Sequence, residues 1–226
     1  MEILKGEIME REIKILYLGY SAIILRTRNH TLIFDPANLI GKREIEELKN
    51  ARNLITLYTH DHYDHYDEKT LKEIYNQTQC PIIIEPAMTM KTSMIIPKEK
   101  IYPAQPGKTI EIYGAKINGI KGLHRGPITL YHIEVDNLKI FHGGDSAYVK
   151  LEGYKADIAI TPTGDPSPTA NPKDAYNMIK DLKPKIAIPI HGSTTQHNEF
   201  KKLVEKDMPE IKVELIEKGK TYTIKT

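Results

Sequence analysis

The most restrictive feature of this chain is a series of short apolar runs, rich in Ile and Leu, each closed by a turn signal or a polar residue. They read "REIKILYLGY", "SAIILRT", "TLIFDP", "NLITLYTH", "PIIIEP", "AKINGIKGLH", "ADIAITP" and "KIAIPIHG". Runs of this length and β-branched content predict strands, several of them buried on both faces. "ITLYHIEV" and "LKIFHGGD" flank Asp136-Asn137, a pair that predicts a hairpin turn, and "KVELIEKGKTYTIK" closes the chain with two further short strands. Interspersed are stretches with helical patterning. "KREIEELKNA" reads as a surface helix, and "DEKTLKEIYNQ" as a helix with Asp67 as its N-cap. "PKDAYNMIKDLKP" has proline at its first turn and another at its end, and "TQHNEFKKLVEK" follows the last buried run. Strands mixed with helices predict a layered α/β architecture rather than a bundle or a plain sandwich. At 226 residues the chain suits one domain, residues 1–226.

Charge excludes little but points away from polyanions. The 32 basic and 30 acidic residues leave a formal charge of +2, too balanced to argue for nucleic acid or a membrane surface. Thirteen tyrosines scatter through predicted elements and read as packing residues, not as a base-stacking platform. A lone cysteine, Cys80, permits no internal disulfide. The N-terminus lacks a continuous apolar stretch of the secretory kind, and no segment approaches the ~20 apolar residues of a membrane span. A reducing, cytoplasmic setting is the expectation.

Chemistry concentrates where strands end. "THDHYDH" follows the run "NLITLY" and places His60, His62, Asp64 and His65 within six residues. His60 and His62 are two apart, so on extended backbone both imidazoles face one side and reach one ion. Asp64 continues that alternation, and His65 is aimed differently. Two ligands for one ion and two for a neighbour read as half of a two-metal site. Imidazole with carboxylate suits zinc, manganese, iron or nickel. Four residues cannot fill two coordination spheres, so other strand ends must contribute. The candidates are His124 in "GLHRG", Asp145 in "HGGDS" and His191 in "IPIHG", each beside a glycine.

Taken together, the ordered series His-x-His-x-Asp-His, His, Asp, His resembles the ligand series of the metallo-β-lactamase superfamily. The flanking text "YLGYSAIILRTRNHTLIFDP" and "PTANPKDAYNMIKDLKPKIAIPIHG" is similar to a branch of metal-dependent hydrolases related to L-ascorbate-6-phosphate lactonase. The resemblance implies a four-layer αβ/βα sandwich with two divalent ions, zinc foremost, at one edge. It implies one ion on His60, His62 and His124, a second on Asp64, His65 and His191, and Asp145 bridging both. Asp35 in "FDP" matches an aspartate that supports a ligand. The resemblance also implies a hydroxide nucleophile, generated by lowering the pKa of water from 15.7 towards ~7, with Asp64 and Asp145 orienting it.

The chain departs from its neighbours at informative positions. Zinc β-lactamases usually carry cysteine where Asp145 stands, and diiron oxidases usually carry glutamate where His62 stands. Both differences favour a two-metal hydrolase over antibiotic cleavage or oxygen reduction, and within hydrolases the expected substrate is a small carboxylic ester, lactone or related molecule. The alternatives are a phosphodiesterase or nuclease resembling RNase Z, and a non-hydrolytic redox or binding metalloprotein. The branch commonly has Gly-His-Ser where this chain has Gly19-Tyr20-Ser21. Tyr20, Arg125 and His197 are the expected substrate contacts, and the Pro-rich loop "GDPSPTANP" is expected near the mouth of the site. Of the remaining histidines, His30 is expected exposed in a turn and His132 structural. His142 is expected to point away from the site, because an adjacent strand residue faces the other side. The expected partner is a small molecule, with no nucleic acid and no membrane; relatives in the branch often form homo-oligomers.

Overall fold

The computed structural model describes residues 1–164 and 169–226; part of the Pro-rich loop, residues 165–168, lies outside them. The short runs form strands β1 (Glu12–Gly19), β2 (Ala22–Arg26), β3 (Thr31–Phe34), β4 (Leu54–Tyr58), β5 (Ile82–Ile84) and β6 (Ile101–Pro103). The second half adds β7 (Thr109–Ile112), β8 (Ala115–Lys121), β9 (Thr129–Val135), β10 (Leu138–His142), β11 (Ile158–Pro162), β12 (Ile186–Ile190), β13 (Lys212–Val213) and β14 (Thr221–Lys225). Helices are α1 (Lys42–Glu47), α2 (Glu68–Thr78), α3 (Thr89–Ser93), α4 (Pro172–Leu182) and α5 (Thr194–Asp207). Among the described residues two sheets of seven strands result, ordered β14-β1-β2-β3-β4-β5-β6 and β13-β12-β11-β10-β9-β8-β7.

Burial on alternate residues shows why the layers stack as they do. On β4, Ile55 and Leu57 join the core between the sheets, with Ile188 and Ile190 of β12 opposite. The intervening Leu54 and Tyr58 pack outward under Leu71, Ile74 and Tyr75 of α2. On β12, Ala187 faces out, against Met178, Ile179 and Leu182 of α4 and Phe200 and Val204 of α5. Period-2 strands therefore bury both faces, and each sheet carries its helices outside, giving an αβ/βα sandwich. A buried bond also joins the sheets, from the Tyr131 hydroxyl to the Tyr58 carbonyl at 2.7 Å.

Local signals act as their chemistry requires. Asp67 caps α2 by accepting from the Thr70 N–H at 2.7 Å. Asp136 and Asn137 both take left-handed φ, 47° and 61°, as the tight turn between β9 and β10 demands. Cys80 is buried. Among the described residues no helix is long and apolar enough to cross a membrane.

Candidate metal centre

The centre gathers at the ends of β3, β4, β8, β10 and β12, where loops leave a rigid sheet. After β4, Thr59 is fastened to the end of the adjacent parallel strand. Its N–H donates to Asp35 Oδ1 at 2.7 Å and its hydroxyl to Asp35 Oδ2 at 2.6 Å. His60 and His62 follow on open backbone, and then the chain turns. The N–H groups of His65 and Tyr66 both reach the His62 carbonyl, at 3.0 and 2.8 Å. The alternation expected to carry on through Asp64 therefore stops at His62. The cause is this turn, which leads into the cap of α2 and swings Asp64 and His65 towards a second cluster.

Two sets of donors result. His60, His62 and His124 form one, and Asp64, His65, Asp145 and His191 form the other; within each set the ligand atoms lie within 4.8 Å of one another. In the first, His124 Nε2 is 3.1 Å from His62 Nδ1. In the second, the Nε2 atoms of His65 and His191 each lie 3.2 Å from Asp145 Oδ2 and 3.7 Å from Asp64 Oδ2. The clusters adjoin, with the ring centroids of His60 and His65 4.0 Å apart.

The donor atoms fit a cation. Nε2 of His60, His65 and His191 is buried with no hydrogen-bond partner, and leaving a buried polar atom bare costs about 1–3 kcal/mol, a cost that cations held by the two clusters would remove. His65 and His191 approach Asp145 closely without hydrogen-bond alignment, so nitrogens and oxygens converge on shared space rather than on each other. Asp35 Oδ2 takes the other ring nitrogen of His65, Nδ1, at 2.9 Å, which turns Nε2 inward. Asp35 is fully buried, and its contact is with His65, one of the candidate ligands.

Electrostatics show what a cation would replace. Burial opposes charge on His65, but Asp35 and Asp145 outweigh it and push its pKa up to about 10. Burial likewise opposes charge on His191, which its contacts with Asp145 and Asp64 raise to about 9. Asp145 is held far below the usual carboxylate range against its burial, by His191 and His65. Burial and the neighbouring His65 push His60 down to about 2, leaving a neutral ring with a free lone pair. Without a cation, two imidazolium protons balance the two carboxylates; a divalent ion takes over that role.

The surrounding backbone is strained where it must bring distant segments together. Tyr20, Asp35, Ala37 and His191 all take left-handed φ, between 43° and 48°, a conformation costly for residues with a Cβ. Hydrogen bonds hold them there: His191 N–H to the Tyr20 carbonyl and Ala37 N–H to the His65 carbonyl, both 3.1 Å. Gly164 permits a close approach, since a Cβ there would lie 2.1 Å from the His191 carbonyl oxygen.

Of the expected substrate contacts, Tyr20 stands beside the centre, half exposed, its ring centroid 5.6 Å from that of His191. Arg125 is exposed in the loop after His124. His197, in the first turn of α5, lies behind His191 against Gly192, its Nε2 buried and unpartnered. His132 is structural as expected, with Nε2 2.8 Å from the Lys155 carbonyl. His30 corrects the reading as exposed. It is 5 % exposed, because the β9–β10 turn packs on it, and its ring contacts Asp136 at 3.2 Å and the Tyr113 carbonyl at 2.9 Å.

Three residues beneath the centre escaped the sequence reading in this capacity. Thr59 is the Asp35 partner. Ser21 places its hydroxyl 3.1 Å from both Asp145 Oδ1 and the Gly144 carbonyl. His142 belongs to neither cluster but lies between the sheets beneath them, contacting the Ser21 carbonyl and the Gly144 N–H. Their only sequence signal is adjacency to Tyr20, His60 and Asp145.

This arrangement, two facing sheets with helices outside and donors at one edge, defines a metallo-hydrolase architecture. Residues 14–191 match the family model of the β-lactamase superfamily domain. A UPF0173 metal-dependent hydrolase of Thermoplasma acidophilum is 30% identical over 199 residues, covering 80% of this chain and 84% of that protein. One from Pyrobaculum islandicum is 28% identical, covering 94% and 96%. A metallo hydrolase from Ignicoccus hospitalis, Igni18, shares the fold with a TM-score of 0.78 at 23% identity, over 95% of this chain and 99% of that one. The chain belongs to the β-lactamase superfamily, among its metal-dependent hydrolases.

Proposed function

We propose that this chain is a dinuclear hydrolase of small carboxylic esters, lactones or related substrates, with zinc as its preferred ion. The observation that carries the reading is the apposition of the two donor clusters, His60 and His65 meeting at 4.0 Å. In this reading His60, His62 and His124 would hold one ion and Asp64, His65 and His191 the other, with Asp145 available to both. Imidazole and carboxylate donors suit zinc, and manganese, iron or nickel also accept such a set. Divalent ions held here supply Lewis acidity, lowering the pKa of water towards ~7 and polarising a substrate oxygen.

The chain's own groups do the rest. Asp64 accepts a hydrogen bond from the attacking water and helps fix its direction, while Asp145 holds the ions in register. Asp35 keeps His65 oriented, and Tyr20 lines the approach beside His191, with Arg125 as a further substrate contact; His197, buried behind His191, is not placed to meet a substrate. A formal charge of +2 offers no broad field for a polyanion, which supports a small substrate over nucleic acid. The same reading places the enzyme in the cytoplasm, with no membrane partner; light scattering checks whether it forms a homo-oligomer. The test combines metal analysis after chelator-free purification with a panel of esters, lactones, thioesters and bis-p-nitrophenyl phosphate. Metal uptake with ester or lactone turnover is expected. Turnover confined to the phosphodiester, or no metal uptake on reconstitution, overturns the reading.

A further inference from the structure

We propose that Ser21 and His142 are positioning residues that dedicate Asp145 to the metal centre through Oδ2 alone. The inference rests on the metal reading above and assigns its central carboxylate a mode of use. Asp145 follows β10 in the second sheet, whereas Ser21 lies in the β1–β2 turn of the first. The two oxygens of Asp145 see different surroundings. Oδ2 lies 3.2 Å from both His65 Nε2 and His191 Nε2. Oδ1 is 3.1 Å from the Ser21 hydroxyl, which is fully buried. A hydroxyl has one proton to give, and a carboxylate accepts more strongly than a carbonyl. Ser21 therefore donates to Asp145 in preference to the Gly144 carbonyl.

His142 holds that serine against the loop bearing Asp145. Its partners fix its tautomer without reference to its pKa. The Ser21 carbonyl, 3.1 Å from Nε2, can only accept, so Nε2 carries the proton. The Gly144 N–H, 3.2 Å from Nδ1, can only donate, so Nδ1 is bare. A neutral imidazole thus bridges the turn of one sheet and the loop of the other. Its ring is fully buried and stacked on Phe34, centroids 4.4 Å apart and planes within 3°. Phe34 immediately precedes Asp35, so the ring also rests on the segment that orients His65. Gly144, at φ 54°, lies where a Cβ would meet Thr59 at 2.9 Å, which packs the loop against the His60 segment. No hydrogen bond of His142 is redundant: one ring nitrogen serves each sheet.

The test is Ser21→Ala, with Ser21→Cys as a near-isosteric weak donor and His142→Phe as a ring that stacks but cannot bridge. Zinc affinity is read by chelator competition, cobalt(II) loading by its visible absorption, and fold stability by urea unfolding in excess chelator. Ile133→Val, a core change remote from the ligands, controls for general destabilisation. Ser21→Ala and His142→Phe are expected to weaken the ion held by the second cluster, which includes Asp145, ~10–100-fold and to alter the cobalt spectrum. Ser21→Cys is expected to fall between Ser21→Ala and the natural chain. Wild-type affinity and spectrum in Ser21→Ala would overturn the proposal. So would an equal loss of affinity in Ile133→Val, which would assign the effect to the fold. If the natural chain takes up no zinc, the metal reading itself fails; a failure of positioning alone leaves natural uptake intact and Ser21→Ala unchanged.

Discussion

Replacing Asp35 separates stability from metal binding, because its carboxylate serves both. Fully buried, it accepts from the Thr59 N–H, the Thr59 hydroxyl and His65 Nδ1, at 2.7, 2.6 and 2.9 Å. Asp35→Ala strands these donors at about 1–3 kcal/mol each. Since the hydroxyl can rotate, the sum is roughly 3–5 kcal/mol, a large share of a typical stability of about 5–15 kcal/mol. At ~2–4 °C per kcal/mol for a chain of this size, the melting temperature falls by ~6–20 °C. Asp35→Asn is the sharper test. Asparagine tolerates the left-handed φ of 43° and keeps an oxygen for the Thr59 N–H. Its amide then faces the Thr59 hydroxyl, which can turn to accept, and His65 Nδ1, which must lose its proton to accept. That tautomer carries hydrogen on Nε2, the atom needed by the ion. Metal-free stability should fall by only ~1–2 kcal/mol, while affinity at the second cluster should fall ~10–100-fold. Urea unfolding in chelator, zinc competition and nitrogen NMR of the imidazoles measure each part. Natural zinc affinity in a folded Asp35→Asn protein would refute the reasoning.

Other consequences follow from the same geometry. His65 and His191, at about 10 and about 9, are charged at neutral pH without metal. Metal binding should therefore release about two protons and tighten as pH rises; calorimetry in buffers of different ionisation enthalpy reads this, and no release would contradict it. Burial pushes Asp136 up, but hydrogen bonds from Thr27, Asn29 and His30 outweigh it and hold its pKa at about 2 against an ordinary 3.8. This lowered value contributes stability that is present above the ordinary pKa and lost as pH falls through about 2. Urea midpoints across that window should fall more steeply for the natural chain than for Asp136→Asn. Gly164→Ala should drive a Cβ into the His191 carbonyl, costing ~1–3 kcal/mol and displacing one ligand. Loss of one zinc equivalent, measured beside the melting temperature, checks it.

The parts of the fold that could be read from sequence were those set by local chemistry. The period of the apolar runs, the Asp67 cap and the Asp136-Asn137 turn each depend on a few adjacent residues. That these donor residues come together could be read because their spacing is compact around His60 and because the strand ends at His124, Asp145 and His191 repeat one pattern. What escaped was long-range or conformational. Ser21 and Asp145 are 124 residues apart, and nothing local announces their contact. His142 belongs to neither cluster, and its importance lies in the Ser21 carbonyl and Gly144 N–H that it joins between the sheets. His30 looked exposed because its own turn is polar; a hairpin more than a hundred residues later covers it. The turn after His62 broke an alternation that the residue pattern alone would have continued.

The central claim is that two ions sit side by side in these two sets of side chains. Crystals grown with zinc and measured on either side of its absorption edge test it most directly. The account predicts two anomalous peaks per chain, one among His60, His62 and His124, the other among Asp64, His65 and His191, with Asp145 between them. A single peak, or peaks held by other residues, would contradict it.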